Sequence, residues 1–144
     1  MDINIIESSY RLFNKYNQKS KKPKHYGTDD LLYPSEVHML DVIGSHDNLN
    51  TTRLAQILGI TKGAVSQTIG KLTTKGIVET QTAQKRNEIR IALTEKGRTV
   101  FDFHRNMHSE MHAQLHDVLS QLPPEALCAV GRIIGIIDES LDRV

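Results

Sequence analysis

The side chains of this 144-residue chain best suited to chemistry are its histidines. His104, His108, His112 and His116 recur at every fourth residue, a spacing that on a helix brings Cβ atoms to about 5–6 Å, close enough for neighbours to share a metal ion. Two neighbours do not complete a site. Zinc takes about four nitrogen, oxygen or sulfur ligands, so a third would come from His38 and a fourth from His25, Asp29 or Asp30 in the loop before it. The candidate metal set is His38, His104 and His108, with zinc as the candidate metal. The same histidines suit two other roles, as buried hydrogen-bonded links between helices or as the wall of an organic-ligand pocket. His112 and His116 fall off the apolar seam of their stretch and read as solvated.

A second constellation is basic and amide-bearing. Leu54, Ile57 and Leu58 fall at helical spacing and stop at Gly59, a residue suited to a helix C-cap. Thr61 follows as an N-cap, and Val65, Ile69 and Leu72 recur at intervals of four and three until Gly76. Two helices joined by so short a turn form a helix-turn-helix, whose second helix enters the DNA major groove N-terminus first. With the apolar residues turned inward, Lys62, Gly63, Ser66, Gln67 and Lys71 face outward. Gln pairs bidentately with adenine, Lys with guanine or phosphate, and Ser with several base edges.

After Gly76 the period changes to two. Residues 77–82 and 88–93 read as a β-hairpin, or wing, around a polar tip at 83–87. Lys85, Arg86 and Asn87 at that tip suit a neighbouring minor groove, where negative potential attracts arginine. A solvated hairpin tip is the alternative. Thr51 and Arg53, opening the first helix, complete the candidate DNA contacts.

Charge supports the same region. The net charge is only +1, but residues 51–90 hold seven basic and two acidic residues, while both flanks are net acidic. Counterion release scales with phosphates contacted, not with overall charge. The run Lys19, Lys21, Lys22 and Lys24 reads as solvated surface, with phosphate contact as the alternative. Cys128 is the single cysteine, so no intramolecular disulfide forms, and it reads as a small core residue of an apolar helix. No apolar run approaches the roughly 20 residues of a membrane helix and no signal segment opens the chain, so a cytoplasmic location is expected. Enzyme motifs are missing: there is no His-Glu-x-x-His pairing, phosphate-binding glycine loop or nucleophile constellation.

Further elements must hold these groups in place. A first helix, from Met1 to about Lys19, carries Ile3, Ile6, Tyr10 and Phe13 on one seam, and a polar loop then runs to Leu31. Pro34 to Gly44 is the next helix, with Ser35 as N-cap, and Ser45 to Leu49 a turn-rich connection. Thr94-Glu95-Lys96-Gly97 caps a long helix to Leu122 whose seam is Phe101, His104, His108, Met111, Leu115, Val118 and Leu122. The last helix, to about Arg143, repeats the device with Leu127, Val130, Ile134, Ile137 and Leu141. Such seams exceed what a small winged domain can cover, so a dimer is expected through Ile6, Tyr10, Phe13, Leu115, Leu122, Val130, Ile134, Ile137 and Leu141. The expected organisation is a dimerisation helix and loop at 1–30, a winged helix-turn-helix at 31–97 and long dimer helices at 98–144. The fold class is mainly α with a small β wing.

The run from Leu54 to Gln67, the run Lys71-Leu72-Thr73-Thr74-Lys75-Gly76-Ile77-Val78-Glu79, and Leu93-Thr94-Glu95-Lys96-Gly97 together resemble the MarR family of winged-helix transcriptional regulators. The resemblance covers essentially the whole chain. It implies a homodimer with interlocked terminal helices, bound to a pseudopalindromic operator on double-stranded DNA, most such proteins being repressors. It matches Arg86 to the minor-groove arginine of the wing, although the aspartate common before that arginine is replaced here by Gln84 or Lys85. Zinc-responsive members are similar at His38, His104 and His108. Fatty-acid-synthesis regulators are similar at Ser35-Glu36-Val37-His38 and from Phe103 to His108, which implies an acyl-carrier effector instead. A winged domain used only for protein contacts is the competing reading.

Overall fold

The computed structural model describes residues 4–82 and 89–141, the side chains of Thr82 and Leu141 excepted. The chain forms two compact units, Met1–Asn106 and Met107–Val144.

The first unit opens with α1 (Ile5–Ser20), capped by Asn4, whose side-chain oxygen accepts from the Glu7 N–H at 3.2 Å. No residue of α1 is buried. The expected polar loop then holds a short antiparallel pair, β1 (Lys24–His25) and β2 (Leu31–Leu32), with Lys24 opposite Leu32. Two features close it. Gly27 turns the chain at φ +75°, a left-handed conformation natural to glycine, and Tyr26 drops into the core at 4% exposure. Burial raises the Tyr26 phenol above its ordinary pKa of 10.0.

Helix α2 spans Pro34–Ser45 and is entered from Tyr33, not from Ser35. Proline favours the first helical position, and the Glu36 carboxylate reaches back to accept from the Tyr33 N–H at 2.8 Å, so Ser35 already lies inside the helix. Val37, Met39, Leu40 and Ile43 are its core face. Gly44 lies within the last turn and does not end the helix; a Cβ there would stand 2.6 Å from the Phe101 ring.

Helix α3 (Thr51–Leu58) starts at Asn50, whose side chain accepts from the Arg53 N–H at 2.9 Å, and ends at Gly59 with φ 64°. It buries Leu54 and Ala55 and packs Leu58 on the core. Ile57 is exposed, because the helix is rolled so that Ala55 shares the inward arc in its place. Helix α4 (Lys62–Thr74) starts at Thr61, whose hydroxyl accepts from the Ala64 N–H at 3.2 Å, and buries Val65, Ile69 and Leu72. It closes with two bonds typical of a glycine-terminated helix, Gly76 N–H to Thr73 O at 2.9 Å and Ile77 N–H to Leu72 O at 2.9 Å.

The wing pairs β3 (Val78–Thr82) with β4 (Ile89–Leu93) in an antiparallel register, Val78 opposite Leu93 and Thr80 opposite Ile91. A third short partner comes from the connection expected to be only a turn: the Ile91 N–H donates to Leu49 O at 2.9 Å, just after Asn48 at φ 56°. The core fills the space between α2, α3, α4, the wing base and the start of α5, with Leu32, Leu40, Leu54, Leu72, Ile77 and Val100 fully buried. Full burial of such side chains contributes about 1.5–3 kcal/mol each.

Helix α5 (Glu95–Ser120) is anchored by Thr94, whose hydroxyl donates to Gly76 O at 2.7 Å and accepts from the Gly97 N–H at 3.1 Å. Gly97 is required here, since a Cβ would collide with the Ile77 carbonyl oxygen.

The second unit holds the remainder of α5 and α6 (Pro124–Leu141), joined by a turn in which Gln121 N–H donates to Val118 O at 3.3 Å. Apolar Met111, Leu115, Val118, Leu127, Ile133, Ile134 and Ile136 are exposed. Cys128 is exposed as well, not a core residue, because the apolar face of α6 has no covering element within the described part of this unit. No helix among the described residues is long and apolar enough to cross a membrane.

Candidate nucleic-acid interface

The candidate interface is built on α4. Its inward residues lock it to the core, and Lys62, Gly63, Ser66, Gln67 and Lys71 are all exposed on the remaining surface. No acidic residue occupies the first turn, so the positive end of the helix dipole is left open to phosphate. Arg53 is exposed on the preceding helix and Thr51 half-buried beside it. Lys85, Arg86 and Asn87 lie outside the described residues.

Besides the expected Gly63, this face carries Gly70, which residue spacing does not single out. Gly70 lies in the interior of α4, is exposed, and has nothing within 4 Å of the place a Cβ would occupy; Gly63 has only the Thr61 hydroxyl, at 3.9 Å. Glycine inside a helix costs about 0.5–1 kcal/mol relative to alanine. No internal packing requires either one. The signal available in the sequence was a helix-interior glycine on the outward side of a recognition helix.

Not every basic residue of this region faces outward. Lys75, one of the seven basic residues, is turned back into the protein: its ammonium donates to Leu31 O at 3.0 Å and lies 3.6 Å from the Glu36 carboxylate. The outward cations described here are Arg53, Lys62, Lys71 and Arg90.

The histidines divide between the two units. In the first, His104 is buried and its Nδ1 lies 2.7 Å from Asp41 Oδ2, while its ring is 5.4 Å from that of His38 and 5.9 Å from that of Tyr26. Tyr16 stacks on His38 at 6.1 Å, and Tyr26 meets Phe103 edge-on at 6.3 Å. This aromatic cluster joins α1, the β1–β2 hairpin, α2 and the first half of α5. In the second unit the His108 and His112 rings stack at 6.2 Å, and His112 and His116 are exposed. His25 and Asp29 are exposed, and Asp30 is paired with Lys96. Among the described residues, no three His, Cys, Asp or Glu side chains form a group able to hold a metal ion.

Comparisons with known proteins agree with this geometry. A family model described as "MarR family" matches residues 30–86. The HTH-type transcriptional regulator PchR of Bacillus subtilis (strain 168) is 25% identical over 109 residues, 75% of this chain and 64% of PchR. The chain therefore spans somewhat less than two thirds of that relative's length. Among solved structures, the zinc-responsive MarR family member ZitR of Lactococcus lactis superposes with a TM-score of 0.63 at 17% identity, covering 96% of this chain and 97% of ZitR. FabT of Streptococcus pneumoniae, solved in complex with DNA, gives a TM-score of 0.65 at 22% identity, covering 96% of each chain. The class is that of winged helix-turn-helix proteins. The segment matched by the family model, residues 30–86, is similar to the MarR family, and the solved MarR structures share the fold of the chain.

Proposed function

We propose that this chain is a sequence-specific DNA-binding transcriptional regulator, not an enzyme, that acts in the cytoplasm as a homodimer and represses by occupying a pseudopalindromic operator. The observation that carries the reading is the outward face of α4, where Lys62, Gly63, Ser66, Gln67 and Lys71 stand exposed on a helix held from behind by Val65, Ile69 and Leu72. Gln67 and Ser66 read base edges, Lys62 and Lys71 engage guanine or phosphate, and Gly63 and Gly70 let the groove approach the backbone. Thr51 and Arg53 hold the phosphates beside the groove, and Lys85, Arg86 and Asn87 of the wing reach the neighbouring minor groove.

Dimerisation rests on the exposed apolar residues of α1 and of the second unit. Ile6 and Tyr10 are 68% and 66% exposed, and Ile134 is 61% exposed. Surfaces so apolar mark an interaction site. Phe13, Leu115, Leu122, Val130, Ile137 and Leu141 complete the proposed interface.

Two effector classes are open to the protein, zinc and an organic or acyl-carrier ligand. Among the described residues no three His, Cys, Asp or Glu side chains are grouped to hold a metal, and DNA reading by α4 involves no metal. Competition with a coloured chelator, using protein with and without His104→Ala and His108→Ala, separates the classes.

Selection of duplexes from a random library tests the main reading. A regulator enriches an operator with two half-sites about 34 Å apart or a multiple of that. A winged domain used only for protein contacts enriches none.

A further inference from the structure

Two lysines strap the C-terminal end of the recognition helix to the rest of its unit. The Lys75 ammonium bonds Leu31 O at 3.0 Å and lies 3.6 Å from Glu36, which itself holds the Tyr33 N–H at 2.8 Å. The Lys75 carbonyl accepts from the Lys96 ammonium at 2.9 Å, and Lys96 is paired with Asp30 at 2.6 Å. One end of α4 is thereby tied to the β1–β2 hairpin, to the first turn of α2 and to the first turn of α5. The partners are partly sheltered, with the Glu36 side chain 9% and the Asp30 side chain 22% exposed. A cation on the last carbonyls of a helix also complements the negative end of its dipole.

We propose that Lys75 and Lys96 are positioning residues for operator discrimination: they contact no DNA, and they fix the angle at which α4 enters the groove. The proposal rests on the DNA-reading function above. Bidentate base contacts from Gln67 demand placement within about 0.5 Å, whereas phosphate contacts by long flexible lysines tolerate more. Loosening the strap therefore lowers the preference for the operator and leaves non-specific binding nearly as it was. This separates Lys75 from Lys71, an exposed residue four positions earlier.

The test uses the full chain and measures affinity for the selected operator and for a scrambled duplex over a range of salt concentrations, at a temperature where circular dichroism shows each variant folded. Lys75→Met and Lys96→Met are each expected to narrow the operator-to-scrambled ratio about tenfold without changing the slope of log K against log salt. Lys71→Met, the control, lowers that slope by about 1. Asp30→Asn removes an acidic charge, which by charge alone strengthens binding to any duplex; its operator preference is nevertheless expected to fall. Lys75→Arg, which keeps the cation and a donor for Leu31 O, should restore most of the ratio, and with Asp30→Asn it serves if a methionine variant does not fold. A slope lowered by about 1 with an unchanged ratio would make Lys75 a phosphate contact and overturn the proposal. So would an unchanged ratio in Lys75→Met, Lys96→Met and Asp30→Asn, with wild-type discrimination intact. A wild-type chain that discriminates between no duplexes overturns the DNA-reading function and the strap with it.

Discussion

The Nδ1 nitrogen of His104 lies 2.7 Å from Oδ2 of Asp41, joining the first half of α5 to α2. His104 is 5% exposed and its ring also packs on His38 and Tyr26. Replacing it by alanine removes a buried ring and strands the carboxylate, so His104→Ala is expected to lower unfolding stability by about 2–3 kcal/mol. Asp41→Asn, which keeps shape and a hydrogen-bonding oxygen, should lose about 1 kcal/mol. Urea denaturation midpoints measure both.

The Tyr26 phenol, raised by burial, gives an alkaline signature. The unfolded chain releases this proton near pH 10.0 and the folded chain only above that. The stabilisation is thus fully present below pH 10 and is lost as pH rises through the folded value. Tyr26→Phe should flatten the fall in stability at alkaline pH, read from urea midpoints between about pH 9 and 12.

Two glycine classes should respond in opposite directions. At Gly97 a Cβ meets the Ile77 carbonyl, so Gly97→Ala is expected to destabilise by about 3 kcal/mol. At Gly70 a Cβ meets open space and at Gly63 only an ordinary contact with the Thr61 hydroxyl, so alanine should stabilise the isolated protein by about 0.5–1 kcal/mol while weakening operator binding. Thermal melting and binding titration of the same variants separate fold from function.

Most helix ends were legible because each is written within a few residues. Gly59, Thr61, Gly76 and Thr94 cap or terminate where their side-chain and backbone chemistry says they should, whereas Gly44 lies inside α2 and the Asn50 cap of α3 emerges only in the structure. The inward face of α4 was equally plain from the spacing of Val65, Ile69 and Leu72. What sequence spacing does not encode is pairing across long separations. The β1–β2 hairpin, the bond from Ile91 to Leu49 and the burial of Tyr26 all depend on neighbours brought in by the fold. The inward turn of Lys75 is of the same kind, as its partner Leu31 is 44 residues away. Local cues also misled where two competed: Ser35 is a good capping residue, but Pro34 before it takes the first helical position and moves the cap to Tyr33.

The apolar surface of the second unit gives a test of assembly. Leu115→Glu and Ile134→Glu place charges at positions 52% and 61% exposed in the single chain. If these residues meet a second copy, sedimentation should show dimer in the wild type and monomer in the variants. If they face solvent, the charges leave the mass unchanged.

Gln67→Ala tests whether the outward face of α4 reads DNA sequence. Fluorescence anisotropy with the selected operator and a set of single-base variants is expected to show a loss of about 1–3 kcal/mol in discrimination at one base pair in each half-site, with the salt dependence unchanged. Equal discrimination by wild type and Gln67→Ala at every position would contradict the assignment of the reading face.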